Sequence, residues 1–134
     1  MKLNKKLNSF NLQEILVVLA IIGILLLLAL PNLMPLIAKA KSLEAQLQLK
    51  QIYSSQTTHR YMYSKYSRDL NEIDYIAPKT VSENGTANYT YEIISADNNT
   101  FKAQATAITD FNGNGVFNVW IIDESGKPKQ TVKD

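Results

Sequence analysis

The sequence contains no cysteine, which excludes disulfides, thiolate metal sites and cysteine nucleophiles. Glycine and proline are scarce, with five and four residues among 134. No charged side chain occurs from Ile15 to Ala38, and no long apolar run follows Lys39. The chain therefore joins one apolar segment to a polar remainder, and its length allows one compact domain at most.

A basic surface for nucleic acids is also missing. Lys2, Lys5 and Lys6 lie at the N-terminus, and the eleven other basic residues face twelve acidic ones without forming a stripe. This balance argues against nucleic-acid binding by this chain alone. The chain shows no nucleophile–base pair, no glycine-rich phosphate loop and no carboxylate couple at useful spacing, so we do not expect an enzyme.

The N-terminal segment has the general plan of an export signal, with basic residues ahead of an apolar run. The 24 residues from Ile15 to Ala38 would form a helix of about 36 Å, enough to cross a hydrocarbon core of about 30 Å. One interpretation is a secretory signal cut after Ala40, although the run exceeds the usual length of about 7–15 residues. A second is a signal anchor that spans the membrane and stays there. Neither gives a role to Glu14, the carboxylate at the head of the run.

A third interpretation comes from the segment SFNLQEILVVLAIIG, residues 9–23. It resembles the processing and helix-start motif of type IV prepilins and type II secretion pseudopilins. In that family a peptidase cuts directly before a Phe, the new amine is usually methylated, and a Glu four residues later is retained. Phe10 and Glu14 hold these positions, and Gly23 and Pro31 stand where the family commonly has residues that loosen the helix in filaments.

The resemblance implies processing by prepilin peptidase between Ser9 and Phe10, with Ser9 standing where the family usually has Gly. The new α-amino group, with a reference pKa of about 7.7–8.0, would be largely protonated at neutral pH. The resemblance further implies that Glu14 meets the Phe10 amine of a neighbouring subunit and so fixes the register of a filament. The implied partners are copies of the chain, related minor subunits and the assembly platform of the bacterial inner membrane. The C-terminal part would then lie outside the cytoplasm.

The remaining segments predict an α+β, pilin-like fold in which a long N-terminal helix packs on a small C-terminal antiparallel sheet. The predicted parts are a cleaved leader at 1–9, a transmembrane or filament-core helix at 10–38, an amphipathic continuation at 39–67, and a loop and sheet at 68–134. Alternating apolar residues predict strands at Asn88–Ser95, Thr100–Ile108 and Val116–Asp123, with a short final strand at Gln130–Lys133.

The amphipathic helix should present one apolar face, formed by Leu36, Ala40, Leu43 and Leu47. That face must be covered by the globular part or by other subunits. His59, the only histidine, has no ligand partner at helical spacing, and we expect an exposed or half-buried side chain.

The loop from Asp110 to Gly115 alternates side-chain oxygens with glycine, the composition of many Ca²⁺ loops. Asp110, Asn112 and Asn114 are the candidate ligands. Major pseudopilins commonly hold their C-terminal loops with Ca²⁺, so the resemblance makes Ca²⁺ the candidate cofactor. The alternative is a polar hairpin loop without metal, because Ile121 takes the place of the acidic residue that ends an EF-hand loop.

The sequence therefore predicts a structural subunit of a type II secretion pseudopilus, polymerised through its N-terminal helix to support protein export. A type IV pilin for adhesion, twitching or DNA uptake is the alternative within the family. A membrane-anchored exported binding domain that never polymerises is the alternative from another class.

Overall fold

The structure, a computed structural model, describes residues 11–30 and 33–134. The predicted processing site at Ser9 and Phe10, and the predicted helix-loosening Pro31, lie outside the described residues. The chain divides into two compact units, Met1–Met34 and Pro35–Asp134.

The first unit contains helix α1, Leu12–Ala29. Asn11 caps it in an extended conformation, and its side-chain oxygen accepts a hydrogen bond from the Glu14 amide at 3.0 Å. This cap satisfies one of the amides that every helix start leaves without an intrahelical partner. α1 is about 27 Å long and contains no buried residue. By length and composition it is the one helix among the described residues able to cross a membrane.

Helix α2, Leu33–Tyr63, leads into the second unit. It ends four residues before the predicted boundary at Ser67, because Ser64 adopts a left-handed conformation with φ of 60°. The Ser64 amide still bonds the Arg60 carbonyl at 2.8 Å, which completes the last turn. Six α2 residues are buried, at alternating steps of three and four: Ser42, Ala45, Leu49, Ile52, Gln56 and His59.

The second unit is completed by a four-stranded antiparallel sheet with strand order β1-β2-β3-β4. Its strands are Tyr89–Ala96, Phe101–Ala107, Val119–Asp123 and Lys129–Val132. The predicted α+β class, long helix and small antiparallel sheet are confirmed. β3 starts at Val119 and not at the predicted Val116, because residues 116–118, which follow the bends at 111–115, do not join the β2–β3 ladder.

The core lies where alternate strand residues meet α2. Tyr89 on β1 and Phe101 on β2 are fully or almost fully buried with Leu49 and Ile52 of α2. The neighbouring β2 side chains, Ala103, Ala105 and Ala107, are small and buried, as their alternation predicted. The connecting segment 68–87 adds buried Ile73 and Tyr75 and a single 3-10 turn, Val81–Glu83.

Candidate assembly surface

Helix α1 presents apolar side chains that nothing in its own unit covers. From Ile15 to Leu28 its large aliphatic residues are between 46 and 73% exposed. Glu14 is exposed at the head of this surface, and its carboxylate makes no hydrogen bond with the residues that the structure describes. A Cβ on Gly23 would meet nothing within 4 Å, so no packing within this chain requires the glycine. An aliphatic helix of this kind is stable in lipid or against other apolar helices.

A second apolar surface lies on α2, and we call Leu36, Leu43 and Leu47 the leucine stripe. Their side chains are 60, 52 and 67% exposed. At 3.6 residues per turn the stripe lies opposite the buried face that includes Ala45 and Leu49. The predicted apolar face, which also contains exposed Ala40, is therefore not the face that packs on the sheet. The globular part, one of the two covers expected for this face, therefore does not cover it.

Two charged residues of α2 help to hold the second unit together. The Glu44 carboxylate accepts hydrogen bonds from the backbone and side-chain nitrogens of Asn88 at 2.9 and 3.0 Å. The Lys41 ammonium lies 4.8 Å from the centre of the Phe111 ring. Both charged side chains therefore contact the second unit and do not cover the leucine stripe.

His59 is buried, with 5% of its surface exposed, so the expected exposure was wrong. Its Nδ1 lies 2.9 Å from the Lys65 carbonyl oxygen, and its ring packs against Tyr63 at 4.6 Å between centroids. Gln56, one turn earlier, bonds both backbone groups of Ser67. These two polar side chains tie the segment after α2 back onto the helix.

The loop from Asp110 to Gly115 is organised by its own side chains. Asp110 Oδ1 accepts from the amides of Asn112 at 3.2 Å and Gly113 at 2.7 Å, and Oδ2 accepts from the Gly115 amide at 2.5 Å. These bonds, led by that from Gly115, lower the pKa of Asp110 below its ordinary value because they favour the carboxylate. Gly113 and Gly115 have φ of 80° and 82°, a conformation that favours glycine.

The other two candidate ligands bond the loop backbone as well. Asn112 Oδ1 accepts from the Asn114 amide at 3.0 Å, and Asn114 Oδ1 accepts from the Val116 amide at 2.7 Å. Within residues 11–30 and 33–134, no group of three or more His, Asp or Glu side chains is placed to hold a metal ion. Ca²⁺ binding by this loop stays a prediction.

Comparison with known proteins gives one informative similarity. No family model matches the chain. The chain is 36% identical, over 74 residues, to the type IV major pilin protein PilA of Myxococcus xanthus strain DK1622. The match covers 55% of this chain and 34% of that pilin, so the chain spans about a third of its relative's length. Together with the apolar N-terminal helix and the small antiparallel sheet, this similarity supports a type IV pilin-like filament subunit.

Proposed function

We propose that this chain is a structural subunit of a type IV pilin-like filament and polymerises through its N-terminal helix. The observation that carries the proposal is the uncovered apolar surface of α1, headed by the exposed carboxylate of Glu14. Such a surface needs lipid before assembly and neighbouring helices after it. The similarity to a type IV major pilin supports the same role and a structural, non-enzymatic protein.

The leucine stripe extends the proposed interface into the second unit. Burying a leucine side chain completely is worth about 1.5–3 kcal/mol. The three stripe leucines are between 52 and 67% exposed. Covering them in a neighbour would therefore contribute roughly 3–5 kcal/mol per subunit before the cost of association. That gain is repeated along a filament, so a modest contact per subunit becomes a stable assembly.

Glu14 is proposed to set the register of the subunits. A carboxylate in the filament core is costly unless it is paired. Processing between Ser9 and Phe10 by prepilin peptidase would create a protonated amine, methylated in the resembled family, and that amine of a neighbouring subunit is the proposed partner. A single buried polar pair of this kind selects one axial stagger, as a buried polar residue does in a coiled coil. Gly23 and Pro31 are proposed to loosen the packed helix.

The filament is proposed to be rooted in the bacterial inner membrane, with the C-terminal unit outside the cytoplasm. Its partners would be further copies, minor subunits and the assembly platform. A type IV pilus is one candidate, since the similarity to PilA supports a pilin-like filament subunit. A type II secretion pseudopilus is the second candidate, favoured by the absence of cysteine and by the Asp110–Gly115 loop, whose proposed Ca²⁺ would replace a disulfide as the clamp. Deleting the gene distinguishes the two candidates. Loss of surface filaments would indicate a pilus. Accumulation inside the cell of enzymes that are normally exported would indicate a pseudopilus.

Single-cysteine cross-linking tests polymerisation, because the natural chain offers no competing thiol. Leu47→Cys places a thiol on the leucine stripe, and the matched control Glu92→Cys places one on an exposed β1 position. In native membranes a bis-maleimide should give cross-linked dimers from Leu47→Cys and far fewer from Glu92→Cys, because one thiol per subunit can be joined to one neighbour only. Adding Glu14→Ala to Leu47→Cys should abolish the cross-linked dimer. Monomer from every variant would overturn the proposal in favour of a membrane-anchored binding domain.

A further inference from the structure

Three of the five glycines follow an asparagine, in the pairs Asn84-Gly85, Asn112-Gly113 and Asn114-Gly115. Asparagine is thermolabile, and it is most so before glycine, which has no side chain to obstruct its own amide nitrogen. That nitrogen loses its proton and attacks the carbon of the asparagine side-chain amide. Ammonia leaves and a cyclic succinimide forms, which water then opens to aspartate or isoaspartate. Each Asn-Gly pair is therefore a candidate site of deamidation.

Two of the three pairs lie in the loop between β2 and β3, and we call residues 110–116 the Asn-Gly loop. Asn112 and Asn114 are both exposed. A Cβ placed on Gly113 or Gly115 would meet nothing within 4 Å, so none of the residues that the structure describes packs against the backbone there. Water reaches both pairs, and their protection has to come from hydrogen bonds within the loop.

The Asp110 side chain holds both of the glycine amides that would react. Its Oδ1 accepts from the Gly113 amide at 2.7 Å, and its Oδ2 accepts from the Gly115 amide at 2.5 Å. Succinimide formation passes through an anion on that same amide nitrogen. A carboxylate beside the nitrogen disfavours the anion because like charges repel, and the anion also loses the hydrogen bond that its proton made. Asp110 therefore opposes the first step of deamidation at both pairs.

The asparagine side chains of the loop are in the opposite condition, because their hydrogen bonds favour attack. Asn112 Oδ1 accepts from the Asn114 amide at 3.0 Å, and Asn114 Oδ1 accepts from the Val116 amide at 2.7 Å. A hydrogen bond to a carbonyl oxygen polarises its carbon and stabilises the oxyanion that forms when a nucleophile adds. Protection in this loop therefore acts on the glycine nitrogens, which Asp110 holds, and not on the asparagine carbonyls.

The third pair, Asn84-Gly85, is held by the backbone. The Gly85 amide donates to the neutral Thr80 carbonyl oxygen at 2.8 Å. A Cβ on Gly85 would lie 2.0 Å from the Lys79 carbonyl oxygen, so this turn is closely packed. Its rate of deamidation should not depend on the Asp110 side chain. Asn84 is therefore an internal reference within the same molecule.

We propose that Asn112 and Asn114 are deamidation sites and that Asp110 is the positioning residue that delays their reaction. Each reaction replaces a neutral amide by a carboxylate, so deamidation at both sites adds two negative charges to the loop that already contains Asp110. The result is a slow, irreversible change of charge on an exposed surface of the second unit. The reaction needs no enzyme, membrane or filament, so it does not depend on the proposed function.

Mass spectrometry of tryptic peptides measures the reaction in the full chain, incubated at neutral pH in dodecyl maltoside with or without guanidinium chloride. Trypsin separates Asn84 from the Asn-Gly loop, because Lys102 lies between them. In the unfolded chain all three pairs should react at similar rates. In the folded chain the two loop asparagines should react at least about tenfold more slowly, the factor that one charge-assisted hydrogen bond is worth. Isoaspartate among the products identifies the succinimide route.

Substitution of Asp110 tests its role. In Asp110→Ala the two loop asparagines should approach their rates in the unfolded chain, while Asn84 keeps its folded-state rate. Asp110→Asn retains a side-chain oxygen without the charge and should give intermediate rates. The matched control Asp97→Ala removes a carboxylate that accepts from the Asn99 and Thr100 amides at 2.8 and 2.7 Å, in a turn without an Asn-Gly pair, and should leave the loop rates unchanged.

Several outcomes would overturn the inference. Loop rates in the folded natural chain equal to those in guanidinium chloride would show that the loop is not protected. Equal loop rates in the natural chain and Asp110→Ala would show that the carboxylate has no effect, and slower rates in Asp110→Ala would show that it acts as a base. An equal acceleration at Asn84 in Asp110→Ala, or of the loop in Asp97→Ala, would show that protection belongs to the whole unit and not to Asp110.

Discussion

Substitution of Gln56 is the most stringent single test of how the second unit is held together. Its side chain is completely buried on α2. Its Nε2 donates to the Ser67 carbonyl at 2.6 Å, and its Oε1 accepts from the Ser67 amide at 3.0 Å. One amide thus satisfies both backbone groups of a buried residue that lies just past the left-handed turn at Ser64. No other side chain among the described residues bonds both groups of Ser67.

Gln56→Ala should cost about 3 kcal/mol. Each hydrogen bond between neutral groups is worth about 0.5–1.5 kcal/mol, and each buried backbone group left unpaired costs about 1–3 kcal/mol. Partial entry of water into the space reduces the upper end of that sum. For a domain near 100 residues, about 3 kcal/mol lowers Tm by at least about 12 °C.

Urea and thermal unfolding of the full chain in detergent, followed by Trp120 fluorescence, measure the loss. Gln51→Ala on the exposed side of α2 is the matched control and should stay within about 0.5 kcal/mol of the natural chain. A loss below about 1 kcal/mol in Gln56→Ala, or an equal loss in both variants, would refute the role of this amide.

Three other expectations follow from local geometry. A Cβ on Gly85 would lie 2.0 Å from the Lys79 carbonyl oxygen, so Gly85→Ala should lower the free energy of unfolding by about 1–3 kcal/mol. A Cβ on Gly23 would meet nothing within 4 Å, so Gly23→Ala should cause no loss. The pKa of Asp110 is lowered, chiefly by the hydrogen bond from the Gly115 amide. The contribution of Asp110 to stability is therefore present at neutral pH and is lost as pH falls through its folded-state pKa. Below about pH 4, acid titration of Asp110→Asn should show a shallower fall in stability than that of the natural chain. If the loop binds Ca²⁺ as proposed, Tm should rise with Ca²⁺ relative to chelator in the natural chain and not in Asp110→Asn, and an unchanged Tm in both contradicts Ca²⁺ binding.

Most of the fold follows from periodicity in the sequence. β1 and β2 alternate buried and exposed residues along most of their length, and α1 is apolar from Ile15 onward, so both patterns can be recognised without tertiary information. The orientation of α2 cannot be predicted from periodicity. Its buried face contains Ser42, Gln56 and His59, whereas its exposed face contains Leu43 and Leu47. By hydrophobicity alone the exposed face would be the better core. Gln56 and His59 are instead paired with backbone groups, and Ser42 is paired with the Asn118 side chain, and periodicity reveals none of these partners.

The candidate sites also differ in whether the sequence alone reveals them. Glu14 stands out in the sequence because the contrast is local, a carboxylate directly before an uncharged run. The contact between Asn118 and Ser42 does not stand out, since the two residues are 76 positions apart in the chain and meet only in the folded unit. In the sequence, Asn118 resembles the other loop asparagines.

The central claim is that the apolar N-terminal helix assembles a filament after processing at its head. The most direct measurement is the intact mass and N-terminal sequence of the chain recovered from the high-molecular-weight fraction of sheared cells. The account predicts a polymerised chain that begins at Phe10 with a methylated amine. A chain beginning at Lys41 or at Met1, or a chain found solely as membrane monomer, would contradict it.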